Sequence, residues 1–421
     1  MLRVLIIDGV GVFGGASRSL FESMRGFAES VDRVFLVQKG SANAYYRPYG
    51  SDMIAVRGIS RFDNSRASHY RGMRWLVLGR ELAYLPWTIA GLIKAKLRWR
   101  SVDLIHINEV TEILPGLLAK FLFGAPMIVH VRSLVWTDRT KLRVRVLDYL
   151  LRRYADAVVA IDEDNRVRLN PQLNVEVIHN SLDHENMPLG SNVPTEALSR
   201  IPSDAFVVGF IGNLHAGKGV FELLDAAELV RKAGANVHFL IVGSSQRSDK
   251  GAAWSVLNRL GLAQEQESAF VGMLEEKKLA QYFHFSGHTA NIAPWVEAMD
   301  VLAFPSHFDA CGRPVFEAAF FGRPSIVAIS SPKDDTLQDG VTGIAIARPD
   351  PKLLADAILA LAGDPDRTRQ MGAAARELAH DNFTPKVNSA KLLDLYKRVT
   401  AGERNGSGRP LAIHALGDGV R

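Results

Sequence analysis

The stretch FPSHFDACGRPVFEAAFFGRPSIVA, from Phe304 to Ala328, decides the fold of this chain. An apolar run ends at Pro305, and the residues after Pro314 follow a helical pattern, so we predict strand, loop, helix and strand. A helix that begins beyond the carboxyl end of a parallel strand presents unpaired N–H groups and a positive dipole end. The stretch therefore predicts a phosphate-binding turn in an α/β domain.

Two carboxylates flank this turn. Asp309 and Glu317 have seven residues between them, around Gly312-Arg313-Pro314. Carboxylates accept hydrogen bonds from hydroxyl groups, and a sugar nucleotide offers both hydroxyls and a diphosphate. A sugar nucleotide is therefore the ligand class that the segment favours.

The segment resembles the retaining glycosyltransferases of family 4, which carry an acid, seven residues and a Glu in a similar setting. Other segments resemble the family in its order, so the resemblance covers about residues 1–400: DGVGVFGGASRSL (8–20), IVHVRS (128–133), VIHNSLD (177–183), FIGNLHAGKGVFELLDA (210–226) and GHTANIAPWVEAMDVLAFPS (287–306). The resemblance implies the GT-B fold. That fold is an α/β architecture with two Rossmann-like doubly wound domains facing a central cleft and a C-terminal helix crossing back to the first domain.

Strand and helix patterns alternate along the chain, as is typical of doubly wound sheets. Strands are predicted at Arg3–Asp8, Val34–Gln38, Leu104–Asn108, Met127–Val131, Ala157–Ile161, Glu176–His179, Val207–Ile211, His238–Val242, Ser268–Val271, Val301–Phe304 and Ser325–Ile329. The stretch 184–204 is rich in turn-forming residues and predicts a linker. We expect an acceptor-binding domain over 1–195, a nucleotide-sugar-binding domain over 205–383, a crossover helix over 384–402 and a disordered tail over 403–421.

Lys218 lies in the glycine-bearing loop NLHAGKG, between a predicted strand and an amphipathic helix. A lysine there stands near the amino end of the helix, where an anion is favoured. The resemblance gives Lys218 a catalytic role at the donor diphosphate and puts Gly212 and Asn213 in the donor site. The family usually has an arginine where this chain has Asn213, so Arg313 or Arg18 would supply the missing charge, or catalysis would be weaker.

The resemblance also assigns roles to the two carboxylates. Glu317 would accept hydrogen bonds from the nucleotide ribose, and Asp309, where the family most often has Glu, would contact the donor sugar catalytically. The backbone amides expected to face the phosphate and sugar are those of Ala310, Cys311, Gly312 and Arg313. The structural alternatives are a helix-dipole partner for Glu317 and a loop-capping acid for Asp309.

His130 closes the predicted strand MIVHV and so stands at the carboxyl edge of the first sheet. The resemblance makes His130 catalytic, touching the donor sugar near the reacting carbon, with Arg132 as a phosphate or acceptor contact. A purely structural histidine is the alternative.

Glycines at positions 9, 11 and 14 form G-x-G-x-x-G directly after a strand. A nicotinamide-binding fold needs an acid at the end of the second strand, which here ends in Gln38 and Lys39. An NADP site using Lys39 and a tight turn without ligand both stay open. We favour a phosphate or acceptor loop made by Gly14, Gly15 and Ala16.

No cofactor or metal is expected. Asp162, Glu163 and Asp164 spell the acid-x-acid pattern that holds a divalent metal in other glycosyltransferases, but a helix amino-terminal cap explains the pattern as well. Cys311 is the single cysteine, and nothing in the sequence identifies a base beside it, so we predict a packing role.

Basic charge is concentrated in the first half of the chain. Residues 1–200 hold 27 Lys and Arg against 20 Asp and Glu, whereas the rest hold 23 against 25. Much of this charge lies in Arg139–Val158, either an ordinary solvated helix or one lying on an anionic membrane. The apolar run Leu82–Ile93 is expected to be too short to span a bilayer. With no leader pattern and one cysteine, we expect a cytoplasmic protein, at the inner face of the membrane if the basic helix binds it.

We therefore predict a retaining, metal-independent hexosyltransferase that moves a sugar from a nucleotide diphosphate sugar to a glycan, lipid-linked or small-molecule acceptor. Nucleic acid is not expected as a partner, because no binding module or aromatic platform is present. Two alternatives stay open. One is another enzyme of this architecture, a sugar phosphorylase or a nucleotide-sugar epimerase, and the other is a catalytically weak partner subunit.

Overall fold

The computed structural model describes residues 1–26, 30–62, 65, 75–185, 198–243, 266–287, 289 and 291–402. The chain divides into two compact units. The first contains residues 1–161, 165–178 and the chain from 389 onward, and the second contains 162–164 and 179–388. The predicted tail, 403–421, and residues 186–197 of the predicted linker lie outside the described residues.

Over its described residues the first unit contains one parallel sheet. Its strands are β1 (Leu2–Asp8), β2 (Val31–Gln38), β3 (Asp52–Val56), β4 (Leu104–Ile107), β5 (Met127–Val131), β6 (Ala157–Ala160) and β7 (Val175–Val177), in the order β3-β2-β1-β4-β5-β6-β7. The helices along this part of the chain are α1 (Gly15–Arg25), α2 (Ala42–Tyr46), α3 (Trp75–Trp99), α4 (Ile113–Phe123), α5 (Leu142–Tyr154) and α6 (Glu163–Arg168). Because helices cover both faces of the sheet, its central strands are buried on both sides and are almost entirely apolar.

The second unit repeats this arrangement. Its strands are β8 (Phe206–Ile211), β9 (Val237–Val242), β10 (Phe283–Gly287), β11 (Val301–Phe304), β12 (Ser325–Ala328) and β13 (Gly343–Ile346), in the order β10-β9-β8-β11-β12-β13. The helices from here to the end of the described chain are α7 (Val220–Lys232), α8 (Gln266–Glu276), α9 (Ala293–Glu297), α10 (Arg313–Phe320), α11 (Pro351–Ala362), α12 (Pro365–Asn382) and α13 (Pro385–Thr400). The predicted fold class, two doubly wound α/β sheets, is confirmed.

Each sheet has a point where the direction of strand addition reverses. In the first it lies between β1 and β4, and in the second between β8 and β11. The loops that leave these neighbouring strands run to opposite faces of the sheet, and the crevice that they form is where open α/β sheets bind ligands. The fold therefore directs attention to the loops after β1, β4, β8 and β11.

Helix α13 returns to the first unit. Leu392 and Tyr396 are buried in the same apolar cluster as Val4 and Ile128 of the first sheet. The Ser389 hydroxyl donates a hydrogen bond to the Ser23 carbonyl over 2.7 Å. The returning helix that the family resemblance implies is thus present.

The chain crosses into the second unit earlier than the sequence indicates. Residues from His179 onward were expected in the first domain, but the segment belongs to the second unit. His179 Nε2 lies 2.9 Å from Asp335 Oδ2, and the Leu182 amide donates to the Phe383 carbonyl over 2.9 Å. These bonds and the burial of Leu182 fix the segment there.

One predicted strand is wrong. The run Ser268–Val271 lies inside helix α8, and the edge strand is β10, which the sequence analysis missed. Phe270 and Leu274 are both buried, four residues apart, so the helical period of the apolar residues governs this segment. Strands β3 and β13 were also missed, because each is short and only partly buried.

Two helices contain the segments for which membrane contact was considered. In α5, Val144, Leu147 and Leu151 are buried and the arginines 145, 152 and 153 are exposed, as in an ordinary helix covering a sheet. The run Leu82–Ile93, expected to be too short to span a bilayer, lies inside α3. Residues Leu76–Trp99 of that helix have the length and composition of a membrane span, and 22% of their most apolar 18-residue window is buried.

Candidate active site

The loop after β8 carries Lys218 to the start of α7. His215 Nδ1 accepts a hydrogen bond from the Gly217 amide over 3.0 Å, which closes a short 3₁₀ turn. Gly219 then has φ +77°, and a Cβ there would lie 1.8 Å from the Pro305 carbonyl oxygen. Only glycine meets both conditions. The loop is therefore held tightly against the chain that follows β11.

The loop after β11 packs directly on the loop after β8. The His307 amide donates to the Gly217 carbonyl over 3.1 Å, and His307 Nε2 lies 2.8 Å from Glu222 Oε1 of α7. At the far end of this loop, a Cβ on Gly312 would lie 2.4 Å from the Phe304 ring. The two loops thus share one surface at the reversal point of the second sheet.

Lys218 lies between two aromatic rings of this surface. Its Nζ is 5.5 Å from the centre of the Phe304 ring and 5.2 Å from that of Phe308. In the described part of the chain, no carboxylate lies within ion-pair distance of this ammonium group. Burial lowers the pKa of Lys218. The two rings attract the ammonium group by cation–π interaction, and the described residues provide no carboxylate that balances its charge.

Arg313 and Glu317 form an ion pair at the start of α10. Arg313 Nε lies 2.7 Å from Glu317 Oε1, and both side chains are largely buried. Gly312, the residue before the helix, provides no side-chain cap for the first N–H groups. The charge of Arg313, a candidate to replace the arginine absent at Asn213, is therefore balanced by Glu317. Asn213 itself is exposed, beside Gly212 at the end of β8.

Asp309 joins the loop after β11 to the residues that follow β12. Its Oδ1 accepts a hydrogen bond from the Ser330 amide over 2.7 Å, and its Oδ2 accepts from the Ser330 hydroxyl over 3.1 Å. Its backbone has φ +53°, a conformation that Asp adopts more readily than most residues. This is the geometry of the loop-capping alternative. Next in the chain, Ala310 is buried, and burial raises the pKa of Cys311 to about 12, so its thiol is protonated at neutral pH.

In the first unit, the loop after β1 leads into α1 without a side-chain cap. Gly14 is the residue before the helix and has an extended backbone, and Gly15 has open space where a Cβ would stand. The Arg18 amide donates to the Gly14 carbonyl over 2.8 Å. The Ala16 carbonyl accepts from Asn108 Nδ2 over 3.5 Å. The loop after β1 and the end of β4 therefore meet at the reversal point of the first sheet.

His130 is oriented by a chain of hydrogen bonds. Its Nδ1 lies 3.4 Å from Arg132 Nη2 and 3.3 Å from His106 Nε2, and His106 Nδ1 lies 2.6 Å from the Tyr396 hydroxyl. Arginine can only donate, so Nδ1 of His130 is the acceptor and its ring hydrogen is on Nε2. Burial, then the charge of Arg132 and the His106 ring, hold the pKa of His130 well below its ordinary value.

The Nε2 atom of His130 is the last atom of this chain of hydrogen bonds. It is buried and has no hydrogen-bond partner in the described part of the protein. A buried donor without a partner is unfavourable, so this nitrogen is a position where a substrate oxygen would be favoured. Arg132 is itself fixed, because its Nε donates to Asn108 Oδ1 over 2.8 Å, and burial lowers its pKa to about 10.

Sequence reasoning missed three buried acids beside these residues. Asp8 ends β1, and Glu109 and Glu112 follow β4; all three are buried. Burial raises the pKa of Glu109 to about 7 and that of Glu112 well above its ordinary value. Glu112 Oε1 accepts from the Gly9 amide over 2.6 Å. The available signal was their place at the carboxyl ends of the two strands that flank the reversal point.

The acid-x-acid segment after β6 starts a helix. The Glu163 amide donates to Asp335 Oδ2 over 2.9 Å, and Asp162 and Asp164 are buried. Among the described residues, no three His, Cys, Asp or Glu side chains form a group that could hold a metal ion.

Comparison with known proteins assigns the family. Residues 205–364 match the family described as glycosyl transferases group 1, and residues 14–180 match the glycosyl transferase 4-like domain. The chain belongs to the group 1 glycosyltransferases. Their shared activity is transfer of a sugar from a nucleotide-sugar donor, so the expected family and this activity are confirmed.

Relatives of this glycosyltransferase act on different substrates. A glycogen synthase of Mycobacterium tuberculosis is 23% identical over 79% of this chain and 81% of its own length. A D-inositol 3-phosphate glycosyltransferase of Corynebacterium diphtheriae is 27% identical over 83% of both chains. The structure of Anabaena HepE in complex with UDP has a TM-score of 0.73 at 19% identity, covering 94% of this chain and all of HepE. This likeness shows the shared GT-B fold.

Proposed function

We propose that this group 1 glycosyltransferase is a retaining, metal-independent hexosyltransferase whose second unit binds a nucleoside diphosphate sugar. The observation that carries the proposal is the Lys218 ammonium group, held between Phe304 and Phe308 without a carboxylate partner in the described chain. A diphosphate supplies the negative charge that this position favours. The acceptor, a glycan, lipid-linked molecule or small molecule, would be bound by the first unit.

The chemistry requires stabilisation of a departing diphosphate. Negative charge grows on the leaving phosphate as the glycosidic bond breaks, and a pre-positioned cation in a partly desolvated site stabilises that charge strongly. Lys218 would supply the cation, and the amides at the amino ends of α7 and α10 would supply further hydrogen bonds. Glu317, oriented by Arg313, would accept hydrogen bonds from the nucleotide ribose.

The first unit would contribute a neutral hydrogen-bond donor. With its ring hydrogen on Nε2, His130 would donate to a substrate oxygen, and its lowered pKa keeps it from acting as a cation near pH 7. The amides of Gly14, Gly15 and Ala16 would approach a phosphate or an acceptor group. These residues position the reacting groups, which is the main requirement when little covalent help is needed.

A nucleotide-binding screen tests the donor site. We would measure thermal unfolding with UDP, GDP, ADP and TDP and their sugars, starting with UDP because HepE was crystallised with UDP and with UDP-glucose. At least one nucleotide should raise the unfolding temperature, and Lys218→Met should abolish the rise. Absence of any shift across the series would contradict the proposed donor site.

Two further experiments test the retention of configuration and the independence from metal. The anomeric configuration of the product, read by NMR, should match that of the donor, and turnover should persist in excess EDTA. An inverted product, or complete inhibition by EDTA that magnesium reverses, would overturn retention or metal independence respectively. In the second case, Asp162 and Asp164 would be tested first.

A catalytically weak partner subunit remains a second candidate. The exposed Asn213 and the engagement of Asp309 by Ser330 favour it, because both departures weaken the expected donor contacts. Measurable hydrolysis of the donor by the isolated chain would exclude it. We also propose a cytoplasmic location at the inner face of a membrane.

A further inference from the structure

Helices α3 and α4 of the first unit carry an exposed apolar surface. On α3, exposed aliphatic side chains lie four or seven residues apart, one or two helical turns, and so form one stripe: Leu82, Ile89, Ile93 and Leu97. On α4 the exposed side chains are Leu114, Leu118, Phe121 and Leu122. Leu97 is 76% exposed and Phe121 66% exposed. The two helices pack on each other, and Lys96 of α3 lies over the Phe123 ring of α4. We call this the α3–α4 face.

The opposite side of α3 is built into the first unit. Leu92, Ala95 and Trp99 are buried in its core. Thr88 Oγ1 accepts from the Ser60 amide over 2.9 Å, and Glu81 Oε2 accepts from the Arg61 amide over 2.8 Å. A helix anchored along one side in this way cannot also be surrounded by lipid, although its length and composition are those of a span.

The charges around the α3–α4 face are mainly basic. The basic side chains of the two helices are Arg80, Lys94, Lys96 and Arg98 of α3 and Lys120 of α4. Arg98 is paired with Asp52 and Lys120 with Asp156, so Lys94 and Lys96 supply most of the net charge. The single acid of α3, Glu81, is buried and lies 2.6 Å from Arg80, and α4 contains no acid. An exposed apolar stripe with a basic border is complementary to a surface in which a layer of negative charge covers an apolar interior. A lipid bilayer with anionic head groups is such a surface.

We propose that the α3–α4 face docks this enzyme on an anionic lipid bilayer. The apolar side chains would enter the boundary between head groups and acyl chains, while the lysine and arginine stems extend to the phosphates. Trp87, which is half-exposed on α3 with Arg57 over its ring, has the amphipathic character that favours this depth. A second copy of the chain fits less well, because two basic borders would repel each other. The inference concerns a surface of the first unit and does not depend on the donor site.

Vesicle flotation of the full chain tests this proposal. Phosphatidylcholine vesicles with and without phosphatidylglycerol would be compared, at low and high salt. We expect binding only to the anionic vesicles and loss of most of it at high salt. Ile93→Gln and Leu97→Gln should each lower vesicle affinity roughly tenfold, and Lys94→Gln about fivefold. The matched control is Val341→Gln, at an apolar residue of the second unit that is about as exposed as Ile93, and this variant should bind as the parent does.

Folding and activity controls keep the outcomes distinct. Each variant should retain the parental circular dichroism and the parental hydrolysis of soluble donor, since none of the positions lies in the candidate active site. Equal binding by Leu97→Gln and the parent would overturn the proposal, as would a parent that ignores anionic vesicles. Sedimentation showing a dimer that the same variants dissociate would replace the bilayer with a second copy. Because donor hydrolysis is measured separately, loss of vesicle binding cannot be mistaken for failure of the proposed enzymatic function.

Discussion

His106 Nε2 lies 3.3 Å from His130 Nδ1 within the buried polar centre of the first unit. Arg132 contacts the same nitrogen, and Tyr396 donates to the other side of His106. The chain of bonds fixes the His130 ring hydrogen on Nε2, which lacks a partner in the described structure. Arg132 therefore sets the tautomer of a candidate catalytic histidine, and Tyr396 of helix α13 completes the same chain of bonds.

Removing the Tyr396 hydroxyl should reduce turnover without abolishing it. The Tyr396→Phe variant loses one neutral hydrogen bond, about 1 kcal/mol, so we expect a roughly fivefold loss of kcat. His130→Ala should lose more, and His130→Gln, which retains an N–H donor, should recover part of that loss. Tyr149→Phe, at an exposed position, is the control.

The pH dependence distinguishes positioning from proton transfer. Because the pKa of His130 is held well below its ordinary value, the ring stays neutral throughout the range of pH 6 to 8. Turnover of the parent should therefore show no step from this residue in that range. A step that disappears in His130→Gln would argue instead that the imidazole exchanges a proton during the reaction.

Lys218 should be needed for turnover and not for folding. Lys218→Met keeps the apolar stem and removes the charge, so we expect a loss of about 1.5–3 kcal/mol of charge-assisted interaction, roughly ten- to hundredfold in kcat. Lys352→Met, at an exposed position of α11, is the matched control. Parental turnover in Lys218→Met, measured with saturating donor, would remove this lysine from the mechanism.

The two phenylalanines should act through Lys218. Phe308→Leu keeps most of the apolar contact and removes one aromatic face, worth about 0.5–1 kcal/mol to a nearby cation. Turnover should fall about two- to fivefold. Loss of the ring also destabilises the ammonium form, so the alkaline limb of the pH profile should move to lower pH. An unchanged limb would indicate that Phe308 serves only in packing.

Glu109 should make stability depend on pH. Burial raises its pKa to about 7 in the folded protein, above the ordinary value of an unfolded glutamate. Its favourable contribution is therefore complete below the unfolded pKa and is lost as pH rises to about 7. Glu109→Gln cannot ionise, so at pH 8 we expect its free energy of unfolding to exceed that of the parent by about 1–3 kcal/mol. It should therefore unfold at a higher temperature at that pH. Calorimetry from pH 5 to 8 should show that advantage shrinking as pH falls. A constant difference would assign the effect to packing.

Most of the fold could be predicted from the sequence because the strongest sequence signals were local. The run that ends at Pro305 and the period of α10 predicted strand, loop and helix correctly, and Met127–Val131 and Val301–Phe304 were predicted to the residue. The helix at Ser268 was mistaken for a strand because a run of only three apolar residues, 269–271, fits either period. The start of the second unit at His179 depends on partners more than 150 residues away, Asp335 and Phe383, and no local pattern encodes such pairings.

The site was predictable in its residue types and not in its pairings. The loop position of Lys218 follows from the strand-to-helix pattern, but the rings that hold it come from a different loop. The acids at Asp8, Glu109 and Glu112 are scattered through the sequence, and they meet only because β1 and β4 are neighbours. Family resemblance assigned Asp309 a sugar contact, whereas its geometry shows a bond to Ser330, 21 residues further on.

Variants of Asp309 decide between these two roles. If the carboxylate supports the loop after β11, Asp309→Asn should keep an acceptor for the Ser330 amide and tolerate φ +53°, with little loss of turnover. Asp309→Glu should be worse, because the longer side chain cannot make both bonds to Ser330 from a left-handed backbone. Ser330→Ala should reproduce only the part of the loss that comes from its hydroxyl.

A direct contact with the donor sugar predicts the reverse order for the same variants. Asp309→Glu would then retain activity, since it restores the length usual in the family, and Asp309→Asn would lower kcat while leaving affinity for the nucleoside diphosphate unchanged. Isothermal titration with the nucleoside diphosphate, beside turnover at saturating donor, separates the two cases. Glu317→Gln provides the reference, because loss of a ribose contact should weaken nucleotide binding itself. We expect Asp309→Asn to outperform Asp309→Glu, and the opposite ranking would restore Asp309 to the sugar.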